Sequence, residues 1–168
     1  MTETFAEYQA RMLALAEGAE PFEILSSTPG RAATLIAGRT PADVQWSPEP
    51  GRWSIAEILS HLADAEIVFG YRVRMILSSP GTAIQAFDQD RWCDSQHART
   101  SDVSASLALF AAVRTANVAL LRRLTPEERD RHGVHAERGP ESIGLLIRLY
   151  AGHDRNHLAQ IERLLAPR

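Results

Sequence analysis

His153 and His157 stand four residues apart in a stretch that reads as one helix from Ser142 to Leu165. At 3.6 residues per turn that spacing stacks both imidazoles on one face. The same face carries Leu146, Leu149, Tyr150, Ile161 and Leu164, while Arg148, Arg155 and Glu162 take the opposite side. Two polar rings therefore fall within a stripe that should face the interior. Such a pair can chelate one divalent ion, and it can equally be two core histidines that each hydrogen-bond a neighbour. A third ligand would decide between these. His61 is the candidate, on a second helical pattern that opens at Ser54, with Glu57 three positions on as a capping box requires. It lies at the edge of an apolar stripe formed by Ile55, Ile58, Leu62, Phe69, Val73 and Ile76. Packing of the two helices would let three imidazoles converge, and three histidines with an open fourth position is a catalytic zinc arrangement.

Taken together, Trp53–Leu62 and the later Gly152–Ile161 resemble the DinB-like (YfiT-related) metalloprotein superfamily. The Trp46–Trp53 lead-in, Phe87–Trp92 and His135–Ser142 extend the similarity from about Arg31 to Leu165. The resemblance implies an all-α fold, a four-helix bundle with a His-His-His divalent metal site, often as a homodimer. All three ligand positions are matched, at His61, His153 and His157. It further implies either a thiol S-transferase, in which the ion activates a low-molecular-weight thiol against a small electrophile, or a protein of no assigned reaction. A metal-dependent hydrolase of small amides or esters and a non-catalytic metal-binding protein are the alternatives. Imidazole suits several transition metals, with zinc or nickel favoured here, so the donors alone do not select one.

Helical periodicity and breakers organise the rest as one domain over residues 1–168. An additional amphipathic helix is expected from Thr4 to Glu17, and a first bundle helix follows, interrupted at Pro29-Gly30. The second bundle helix spans Ser54–Leu77, the third Asp102–Leu124 and the fourth Ser142–Leu165. Residues 82–100 form a long crossover without clear periodicity, which in bundles can roof a pocket. No stretch alternates with period two for long enough to predict a sheet. His97, His132 and His135 fall in predicted loops, where solvent exposure is the default; His135, whose segment leads directly into the last helix, is the best placed of them to line a pocket. Asp64, one turn after His61, is a candidate to orient a ligand or accept a proton, or is a polar edge position. Asp154 adjoins a ligand, but its side chain points some 100° away, which directs it off the ion.

Composition narrows the partners. A formal net charge of -3 and 23% charged residues suit a soluble enzyme, with no basic stripe for nucleic acid. All 18 basic residues are arginine, so no lysine nucleophile exists. The lone Cys93 excludes an intrachain disulfide and points to a reducing compartment, and it sits in an apparent loop as a partly buried thiol. The N-terminus lacks a signal-peptide pattern and no apolar run predicts a membrane span, so a cytoplasmic protein acting on a small-molecule substrate is expected.

Overall fold

A computed structural model describes residues 3–167. Capping chemistry sets the helix starts. Thr4, Thr40, Ser54 and Thr125 each form a reciprocal capping box with the acidic residue three positions on, opening α1 (Phe5–Ala16), α3 (Pro41–Gln45), α4 (Ile55–Ser78) and α7 (Pro126–Asp130). Glu20 caps α2 (Pro21–Ile36), Asp88 caps α5 (Gln89–Ser95), Asp102 caps α6 (Val103–Arg122) and Ser142 caps α8 (Ile143–Leu165). The four long helices α2, α4, α6 and α8 make the bundle, each packed on two of the others, and α1 lies along the outside of α8. The limits of α4, α6 and α8 agree with the periodicity to within two residues.

Three local expectations are corrected. First, Pro29 does not break its helix, and α2 runs through it. A proline at this position removes the N–H that would bond the carbonyl four residues back, at Leu25. Arg114 of α6 fills that gap, its Nη1 donating to the Leu25 carbonyl at 2.7 Å. Second, the crossover is not featureless. It holds β1 (Ala83–Ile84), α5 and a short 3-10 turn at Ala98–Thr100. β1 pairs in parallel with β2 (His132–His135), which pairs antiparallel with β3 (Gly139–Ser142). Strands of two and four residues are too short to show an alternation in sequence. Third, α6 is 20 residues long with a mean hydropathy of 1.5, long and apolar enough by those measures to cross a membrane. Here it is a bundle helix, and it buries Phe110, Arg114, Asn117, Val118 and Leu121.

The core divides into two apolar clusters along the bundle. One gathers Leu25, Phe69, Val73, Ile76, Leu121, Ile143 and Leu146, and the other Ile55, Ile58, Leu62, Phe110, Leu158 and Ile161. Between them lies an ionic knot. Arg114 Nε donates to Glu66 Oε2 at 2.7 Å, Nη2 donates to Asp154 Oδ1 at 3.0 Å, and Nη1 also donates to Asp154. Asn117 Nδ2 donates to Glu66 Oε1 at 2.8 Å. The knot thus ties α2, α4, α6 and α8 together.

The α1–α8 contact depends on Gly152. A Cβ at that position would overlap the Met12 carbonyl. Two bonds clamp the helices on either side: Arg155 Nη1 donates to Leu15 O at 2.7 Å, and Arg11 Nη1 donates to Asn156 Oδ1 at 2.8 Å. Gly152→Ala forces the backbones apart and is expected to cost about 1–3 kcal/mol or more, as overpacking does. A thermal melt beside wild type measures it, and an unchanged midpoint would show that α1 does not need this approach.

Candidate metal centre

The Ser54–Glu57 capping box fixes where α4 begins, with Ser54 N donating to Glu57 Oε2 at 2.7 Å. His61 follows on the second turn, and α8 supplies His153 and His157 from the facing side. Their Nε2 atoms converge: His153 Nε2 lies 2.9 Å from His61 Nε2 and 3.1 Å from His157 Nε2. All three ligand atoms lie within 4.8 Å of one another, and no other His, Cys, Asp or Glu among the described residues joins them. The three histidines expected together are therefore brought together.

These donors fit a divalent ion. One Nε2 proton can point to one acceptor only, so His153 Nε2 cannot satisfy both neighbours by hydrogen bonding. Nitrogens bound at about 2.0–2.1 Å to a shared ion at angles of about 90–110° would stand roughly 2.9–3.4 Å apart; the two separations to His153 fall in that range, while the His61–His157 pair is wider, within 4.8 Å. His157 Nδ1 pairs with Gln160 Oε1 at 3.0 Å, so Nδ1 donates and the Nε2 lone pair is left for the ion. Burial holds His61 and His153 well below the usual imidazole range, with neighbouring positive charge adding to the effect. Burial likewise lowers His157 to about 4. All three rings are neutral near pH 7, the state that ligates metal. Trp53 packs against the cluster, with its ring centroid 4.8 Å from that of His61 and stacked 6.2 Å from that of His157.

His61 and His153 open onto a cavity of about 350 Å³. Phe5 and Tyr8 of α1 wall one side, Leu146, Leu149 and Tyr150 of α8 another, and Ala86–Gln89 of the crossover roof it. Glu141 also lines the cavity, but its carboxylate is held by Arg138 through two bonds of 2.8 and 2.9 Å.

Other candidates fall elsewhere. Asp64 lines no part of the cavity and lies outside the three-histidine cluster; its Oδ2 accepts from Gln96 Nε2 at 3.1 Å. Asp154 is turned into the ionic knot. Cys93 is on α5 rather than a loop, and burial pushes its thiol up to about 12, so it is no nucleophile. His135, the loop histidine best placed in sequence to reach a pocket, lines the cavity and is buried at 1% exposure, though on β2 rather than in a loop. Arg72, Tyr8 and Gln160 were not singled out from the sequence. Gln160 alone left a signal there, three residues after His157 on the same helix.

A protein of Oceanobacillus iheyensis whose name proposes a metal-dependent hydrolase is 31% identical over 114 residues, 68% of this chain and 66% of its own length. YfiT of Bacillus subtilis, named in the same terms, is 28% identical over 84% of this chain and 80% of its own. A solved structure of YfiT, described as having an unusual four-helix bundle topology, superposes with a TM-score of 0.81 at 22% identity, covering 97% of this chain and 88% of that one. The family model of the DinB superfamily matches residues 24–161, a span that holds all three clustered histidines, and the chain belongs to that superfamily.

Proposed function

We propose that this chain is a divalent-metal-dependent enzyme, and that its reaction is transfer of a low-molecular-weight thiol to a small electrophile. The observation that carries the reading is the convergence of three neutral imidazoles at the wall of a substrate-sized cavity. When bound, the ion supplies Lewis acidity, bringing a thiol to thiolate or lowering the pKa of a water toward about 7. His61, His153 and His157 would hold it as neutral donors, adding no negative charge. Gln160 pairs with His157 and Trp53 packs on His61 and His157, which keeps the rings oriented. Hydrolysis is the second reading, favoured by the names of the relatives. It draws no base from Asp64, which lies outside the cavity, whereas a thiol needs none once ligated.

Zinc or nickel is the proposed ion, a homodimer the proposed assembly and the cytoplasm the proposed location. The outer face of α6 supports the dimer, since it presents Ala105, Ala108, Leu109, Ala112, Ala116 and Ala119 without a charge among them.

Metal content of untagged protein, followed by thiol titration of a cobalt-substituted sample, tests the reaction. One divalent ion per chain and a sulfur-to-cobalt charge-transfer band saturating at one thiol per site are expected. Tight metal binding with no thiol response moves the assignment to hydrolysis. Protein that takes up no divalent ion overturns both.

A further inference from the structure

The cavity beside the three histidines carries polar groups that ion binding leaves unused. Arg72 of α4 lines it at 6% exposure and forms no ion pair among the described residues. Its Nη2 donates to the Gln85 carbonyl at 2.6 Å, while its buried Nε has no partner among the described residues. A buried guanidinium without a counter-anion is unfavourable, and a native fold normally supplies one. On the same cavity, His135 Nδ1 accepts the Glu137 N–H at 3.2 Å. The ring proton of neutral His135 therefore sits on Nε2, which is buried and also without a partner. Burial, with Arg138 next in effect, holds His135 below the usual imidazole range, and the charge of Arg72 adds to the same shift. Acidic side chains on the cavity do not answer these donors. Glu141 is committed to Arg138, and Asp88 and Glu137 are exposed.

We propose that Arg72 and His135 anchor a carboxylate of the small-molecule substrate, holding its reactive part toward His61 and His153. One cationic donor and one neutral donor suit the two oxygens and single charge of a carboxylate. The anchor rests on the proposed function only for what happens at the far end of the cavity. Its own binding needs no reaction.

Benzoate and its neutral isostere benzamide separate the possibilities. Calorimetric titration of the full chain, as purified and after chelator treatment, is expected to show benzoate binding at least about tenfold tighter than benzamide in both samples. His135→Phe keeps a ring of similar size and is expected to weaken benzoate about tenfold with metal content unchanged. Should that variant fold poorly, the imidazole nitrogen resonances of wild-type His135 must shift on benzoate addition. Equal affinity for the two probes, or no benzoate binding, overturns the anchor. So does benzoate binding that vanishes with the ion while His135→Phe binds normally, which assigns the carboxylate to the metal. Metal-free protein that still selects benzoate keeps the anchor even if the metal reading fails.

Discussion

Arg114→Met is expected to destabilise this fold by about 3–5 kcal/mol, because removing one partner leaves buried charge uncompensated. Its side chain is 3% exposed, and those of Glu66 and Asp154 are 0% exposed. Loss of the guanidinium strands both carboxylates and frees the Leu25 carbonyl at the proline position. For a domain of this size the change corresponds to a midpoint drop of roughly 6–20 °C. Its pH dependence carries a sign. Burial already raises Glu66 above the ordinary carboxylate range, with Arg114 opposing the rise. Without Arg114 the folded-state value rises further, and a group with a raised folded value favours folding below its unfolded value and loses that contribution as pH rises. The deficit of the variant should therefore shrink between pH 7 and pH 5. Urea melts of both proteins at the two values measure this, and a loss below about 1 kcal/mol at pH 7 would mean that water enters the knot and solvates the acids.

His153→Ala is expected to lower divalent metal affinity by more than about 100-fold, beyond the 10–100-fold typical of losing an outer partner of a ligand. His153 is the hub of the cluster, since its Nε2 is within 3.1 Å of both other Nε2 atoms. Removing it leaves one nitrogen from each helix. Gln160→Ala supplies the scale, because it loosens His157 without removing a donor. Competition against a chromophoric chelator reads both affinities, and circular dichroism checks that the bundle survives. Full affinity in His153→Ala would remove it from the ligand set and undo the three-histidine centre.

What was legible in the sequence was whatever a single helix encodes by itself. The spacing of His153 and His157, the Ser54–Glu57 cap and the apolar stripes are local, and each reappears in the fold. What failed was decided by distant partners. Pro29 reads as a breaker by every local rule, yet Arg114, 85 positions away, bonds the carbonyl that the proline leaves open. His135 read as a loop residue because a four-residue strand has no pattern of its own; on β2 the side chains alternate, so Val134 is exposed and His135 is buried. Asp64 shares a helix with His61, but its bond to Gln96 beyond α5 is invisible in sequence. Arg72 is an ordinary helix residue until the crossover and the β2–β3 hairpin close over it.

The three clustered histidines stand on bundle helices, while much of the cavity wall comes from α1, the crossover and the hairpin. Much of the wall thus comes from stretches of chain other than those that carry the three histidines, although Arg72, Leu146, Leu149 and Tyr150 of the bundle helices also line it. An insertion or a swapped residue in the outer segments can reshape that cavity without disturbing the helices that bring the three histidines together. A scaffold divided this way leaves room for the cavity to change shape around one fixed cluster.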